Sequence, residues 1–189
     1  GMGKSAAVVA VVEHASSCSW PICVISADRL PAADTAAQLG TAFGLGGSPV
    51  TALAALAAGG PGLLVIDQLD ALGIVSGRHP ERLTVVEQML AEVRAHPNLR
   101  VVLACRQFDL DNDRTLRAAV GGHDDNNFVK VAPLSAEQVA EALQRAGLPL
   151  PGTDRDAALL TSPLHLALFI ELAQTDRAEP RRDRQHEIW

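Results

Sequence analysis

The chain predicts an α/β fold: a parallel sheet with flanking helices, followed by the start of a helical domain. Three observations carry that prediction. Short aliphatic runs, each ending on a polar or charged residue, alternate with helix-forming segments as far as Pro133, an order that calls for parallel strands and right-handed crossovers. A Gly-Lys-Ser step at positions 3–5 runs straight into a helical segment. Beyond Pro133 the strand signals stop and helix caps take over.

The elements follow in order. Small and branched apolar residues run almost unbroken over 5–14, as in a helix buried on more than one face. Residues 21–26 read as a short buried strand between Pro21 and the polar Asp28-Arg29. Helices are expected over 33–43 and 49–58, split by Gly44-Leu45-Gly46-Gly47, with Ser48 as N-cap and Pro49 at the first helical position. Residues 63–66 form an apolar run ending on Asp67, suited to a central strand buried on both faces. Over 80–95, Leu83, Val86, Leu90 and Val93 recur at helical spacing. Residues 100–106 and 127–131 read as two further strands, with a helix over 111–117 between them. Ser135 with Gln138 makes a capping box, Gly147 closes that helix, and 157–173 is helical and apolar with a break at Ser162-Pro163. The charged tail from Arg177 is expected to fray.

Composition narrows the function. The 189 residues are 48% apolar and 3% aromatic, enough for one full core and part of a second. With 22 acidic against 16 basic residues the net charge is -6, which argues against nucleic-acid binding by this segment. Cys18, Cys23 and Cys105 lack zinc spacing and read as reduced thiols of a cytoplasmic protein. The apolar stretches at 6–12 and 159–172 are too short for a membrane span.

The chemistry concentrates in a few places. Gly1-Met2-Gly3-Lys4-Ser5 matches the end of the phosphate-cradling loop G-x-x-x-x-G-K-[ST]. Glycines let backbone N–H groups approach phosphate, Lys4 reaches the β and γ oxygens, Ser5 offers a hydroxyl to Mg²⁺, and Ala6 lies in the same first turn. The first glycine of that pattern would precede Gly1, so the reading expects a fragment that lacks the strand feeding the loop. The bland alternatives are a Gly-Met left by tag removal and a plain turn into a helix. Asp67, at a strand's end, can hold a metal's water shell or cap the next helix. Asp70 can orient or deprotonate water, or stand as a loop acid. Arg106 can meet a γ phosphate, or pair on the surface with Asp109 or Asp111. Arg114 and Arg117 read as a solvated helix face, with a finger toward a neighbouring subunit as the rarer reading.

The order of these motifs resembles the STAND class of signalling P-loop ATPases, near its NACHT-like bacterial members. The loop is followed by Leu63-Leu64-Val65-Ile66-Asp67-Gln68-Leu69-Asp70, by a strand ending in Ala104-Cys105-Arg106, and by Ala132-Pro133-Leu134-Ser135 leading to Ser162-Pro163-Leu164-His165-Leu166. The resemblance implies a P-loop NTPase core over 1–132 with its first strand missing, and a truncated helical lid domain over 133–189. It implies ATP and Mg²⁺ as ligands, Asp67 serving the metal, Asp70 in the catalytic acidic cluster, Arg106 as a sensor and Pro163 near adenine. It further implies nucleotide-gated switching and self-association of the full-length protein. Ala71 departs from the pattern, where many relatives carry another acid, which points to slow turnover. An oligomeric AAA+-type ATPase and a non-hydrolysing nucleotide-binding module are the alternatives.

Overall fold

A computed structural model describes residues 3–74, 79, 82–121 and 128–178. Gly1, Met2, Asn127 and the tail beyond 178 lie outside the described residues. The chain divides into two compact units, one reaching Val129 and the other beginning at Lys130.

The first unit contains α1 (Lys4–Ser17), β1 (Ile22–Ser26), α2 (Ala36–Ala42), α3 (Pro49–Ala57), β2 (Gly62–Asp67), α4 (Leu83–Arg94), β3 (Leu99–Leu103), α5 (Gln107–Asn112) and α6 (Arg114–Ala119). Its sheet is parallel in the order β1-β2-β3, with Ser26 opposite Asp67 and Ile66 opposite Leu103. The register brings the exits of all three strands to one edge, the edge where α/β folds bind ligands.

Alternation along the strands divides the core in two. Leu63 and Val65 point to one face and pack with Val8 and Ala15 of α1, joined by Ile22 and Val102. Leu64 and Ile66 point to the other face, among Leu39, Val50, Leu53, Val86, Met89 and Leu116 from α2, α3, α4 and α6. Gly62 begins β2 close against β3: a Cβ there would come within 2.9 Å of Leu99 Cδ2, so the leucine side chain would have to shift. The expected caps form: Ser48 accepts from Thr51 N with Pro49 at the first helical position.

The second unit holds α7 (Ala136–Arg145), α8 (Asp154–Leu160) and α9 (Pro163–Ala178). Ser135 and Gln138 form the reciprocal capping box, and Gly147 leaves α7 with φ 67°. Val139, Leu143, Leu148, Leu160 and Leu166 make its core. Among the described residues no single helix is long and apolar enough to cross a membrane, and α8 and α9 are bent from one another by 108°.

Four expectations need correction. Residues 128–131 are irregular rather than a strand, and Val129 is 90% exposed; among the described residues none pairs with this segment, and an unpaired strand leaves its N–H and C=O groups without a ladder. The helix expected over 111–117 is broken at Asp113, whose extended backbone ends α5 while its side chain caps α6. Arg117 is half-buried and engaged rather than simply solvated: its guanidinium donates to Leu110 O at 3.1 Å and Asp111 O at 2.5 Å, closing the end of α5, while Arg114 is exposed. Finally, α2 begins three residues later than expected because Thr35 accepts from Gln38 N and fixes the start there.

Candidate functional site

The site is assembled from one helix start and two strand exits. Gly3 precedes α1 in the left-handed region (φ 74°) and provides no side-chain cap. The first intrahelical bond runs from Ala7 N to Gly3 O at 2.9 Å, so the N–H groups of Lys4, Ser5 and Ala6 precede the ladder and lack intrahelical acceptors. The positive end of the helix dipole adds to them. Ser5 and Ala6 are exposed there, while Lys4 folds inward with its side chain 20% exposed.

Lys4 meets Asp70. Its Nζ lies 3.4 Å from Asp70 Oδ1. Arg106 reaches the same carboxylate from the exit of β3, Nε to Oδ2 at 3.2 Å, and its backbone N–H donates to Oδ1 at 3.2 Å. Asp70 therefore joins two cations and a backbone donor while its own side chain is 12% exposed. Arg106 pairs with Asp70, and so with neither of the surface acids considered from the sequence. The structure thus brings together three residues that lie far apart in sequence.

The turn carrying Asp70 is shaped by its neighbours. Gln68 adopts the left-handed conformation (φ 57°, ψ 38°) and its N–H donates to Asp67 Oδ1 at 2.8 Å. A 3-10 turn over Leu69–Leu72 follows, with Leu69 and Leu72 fully buried. Leu69 N–H donates to Ala104 O at 2.9 Å, lashing the turn to the strand beside it. Its far end is held by Asp113, 3% exposed, whose Oδ2 accepts from Ile74 N while Oδ1 caps α6 through Thr115 and Leu116.

Sequence reasoning missed Asp28, Cys105 and Asp113. Asp28 sits just past β1, where the sequence shows only a polar boundary; Asp113 carries an N-cap signal inside a segment that reads as continuous helix. Cys105 lies near both Lys4 and Asp70. Burial pushes its thiol up from the ordinary value, the Lys4 ammonium opposes this, and the carboxylates of Asp70, Asp109 and Asp111 add to the rise.

The residues present fit a magnesium nucleotide. Among the described residues no cluster of three or more His, Cys, Asp or Glu could hold a metal by itself. Mg²⁺ ordinarily takes one or two carboxylates and completes its shell with water and substrate phosphates. Asp67 at the end of β2 and Ser5 on the first turn of α1 match that donor set, and the uncapped N–H groups with Lys4 match phosphate. Gly1 and Met2 lie outside the described residues, and Pro163 opens α9 in the second unit.

The fold is α/β: a parallel sheet with flanking helices, with a helix start and strand exits along one edge. No protein-family model and no curated protein matches the chain. Among solved structures it is similar to a DNA replication initiation factor, at 17% identity over 93% of this chain and 52% of that one, with a TM-score of 0.56. The chain thus spans about half the length of that neighbour, and at this identity the likeness shows the fold.

Proposed function

We propose that the protein binds ATP with Mg²⁺ and hydrolyses it slowly, serving as a nucleotide-gated signalling switch of the STAND kind. The observation that supports this best is the convergence of Lys4 and Arg106 on Asp70 beside the start of α1. Two cations held at one point on a ligand-binding edge are suited to a phosphate chain, and a carboxylate between them is suited to water. In this reading the N–H groups of Lys4, Ser5 and Ala6 and the Lys4 ammonium bind phosphate oxygens. Ser5 and Asp67 hold Mg²⁺, which when bound screens the charge of the phosphates. Asp70 orients the attacking water and accepts its proton, and Arg106 turns to the γ phosphate as charge builds there.

Slow turnover follows from Ala71, which leaves Asp70 without a second acid beside it. A switch requires a ligand that binds two arrangements unequally, and nucleotide-dependent self-association is the output proposed for the full-length protein. The oligomeric AAA+-type alternative gains nothing from Arg117, which is engaged with the end of α5.

The test is equilibrium binding of a fluorescent ATP analogue with Mg²⁺ to the chain extended upstream through a complete loop and its strand, and to Lys4→Ala of the same protein. Binding that weakens at least about tenfold in the variant, the effect of removing one charged hydrogen-bonding partner, supports the reading. Equal affinity in the two proteins, or no binding at millimolar nucleotide, overturns it.

A further inference from the structure

The exits of β1 and β2 are joined by side chains that the proposed chemistry does not use. Oriented with its amide nitrogen toward the neighbouring strand's exit, Gln68 donates to Asp28 Oδ2 at 3.0 Å and Oδ1 at 3.3 Å. The opposite orientation would set its carbonyl oxygen against the carboxylate. Asp28 is held in turn by Ser26 Oγ, 2.5 Å from Oδ1, and Ser26 is the register partner of Asp67.

What this bond holds is unusual backbone. Gln68 is left-handed, a conformation that side-chain-bearing residues rarely adopt, and it lies between the two acids of the site. Its N–H is fixed on Asp67 Oδ1 and its side chain on Asp28, so both ends of the residue resist rotation toward extended backbone. If Gln68 relaxed, Leu69 N–H would leave Ala104 O and the turn would carry Asp70 away from Arg106.

We propose that Asp28 is a positioning residue: through the Gln68 amide it fixes the bend between Asp67 and Asp70, and so holds the Asp70 carboxylate against Lys4 and Arg106. Its consequence for turnover rests on the reading of Asp70 given above, whereas its effect on placement is measurable without nucleotide. Asp28 needs no contact with substrate for this role. The pair is partly open to solvent, with the Asp28 side chain 33% exposed, so the effect is graded rather than all-or-none.

The Arg106 N–H bonds to Asp70 Oδ1, so its hydrogen exchange, followed by NMR on the full chain, reports where Asp70 sits. In Asp28→Ala the Arg106 amide should exchange about three- to tenfold faster, the loss of one hydrogen bond to a charged acceptor near the surface, while amides in the middle of β2 keep their wild-type rates. Gln68→Glu should do the same by opposing two carboxylates. The double variant Asp28→Asn with Gln68→Glu reverses donor and acceptor and should restore the wild-type rate. Unmoved Arg106 exchange in Asp28→Ala, or no rescue in the double variant, overturns the proposal, and acceleration spread evenly over β2 assigns Asp28 to general stability and overturns it too. With turnover present, kcat of Asp28→Ala should fall by a similar factor while nucleotide binds no more weakly than to wild type, because an Asp70 released from Lys4 and Arg106 competes less with phosphate. The expected exchange pattern in a chain that hydrolyses no ATP would sustain the positioning role while refuting the ATPase reading.

Discussion

Asp70 and a bound phosphate would compete for the same two cations, which makes Asp70→Asn the most informative single change. At 3.4 Å the Lys4–Asp70 attraction is about 5 kcal/mol at an effective dielectric of about 20, before desolvation is subtracted. Arg106 contributes less: its side chain is 59% exposed, and water-like screening reduces the attraction to about 1 kcal/mol. Desolvation of a mostly buried ammonium and carboxylate cancels most of the first figure, leaving a net coupling of about 1–2 kcal/mol that phosphate must displace. Asparagine keeps the size and one acceptor oxygen for the Arg106 N–H, but removes the charge. Nucleotide should then bind about 5- to 30-fold more tightly, while phosphate release at saturating nucleotide falls by about a hundredfold or more, the usual contribution of a general base. The assay is a titration with a fluorescent ATP analogue and Mg²⁺, followed by single-turnover phosphate release, with melting curves to check folding. A variant that folds normally yet binds nucleotide no better, or more weakly, refutes the competition argument.

Other expectations can be checked alongside it. Asp113→Ala removes the cap of α6 and strands the Ile74 N–H, together about 2–3 kcal/mol, which should lower the urea midpoint by about 1 M or more; Asp113→Asn, which keeps one acceptor oxygen, should lose about half as much, and equal losses would contradict the division of labour between the two oxygens. Ser135→Ala should cost the second unit about 1 kcal/mol through its capping box, visible as faster amide exchange in the first turn of α7 with α1 unaffected. Burial pushes the thiols of Cys23 and Cys105 up, so the folded chain keeps these protons at pH values where the unfolded chain has released them. Their contribution is therefore intact below the ordinary thiol range and lost as pH rises through and above it. Urea midpoints that fall less steeply on alkalinisation in Cys23→Ala and Cys105→Ala than in wild type would show this. The exposed Cys18 should be alkylated first at neutral pH.

Much of the fold was legible because its signals are local. The four-residue run before Asp67, the caps at Ser48 and Ser135, and the helical spacing from Leu83 to Val93 each depend on side chains within a turn or two of one another, where backbone preference and hydrophobic period act directly. The errors occurred where distant partners decide. Residues 127–131 have the composition of a strand, but a strand forms only beside another strand, and among the described residues none pairs with 128–131. Asp113 interrupts a segment that looks continuous because its carboxylate bonds to Ile74, 39 positions away, as well as to the helix it starts.

The candidate site divides along the same line. The sequence alone singled out Lys4, Asp67, Asp70 and Arg106, because a glycine-lysine-serine step and carboxylates or cations at the ends of apolar runs are chemical patterns in one dimension. That Lys4 and Arg106 share one carboxylate, that Asp28 reaches Gln68, and that Cys105 lies near an ammonium were decided by the tertiary structure. The reason is the register of a parallel sheet: it brings the exits of three strands to a common edge, and so makes neighbours of residues whose separation along the chain carries no trace of that proximity.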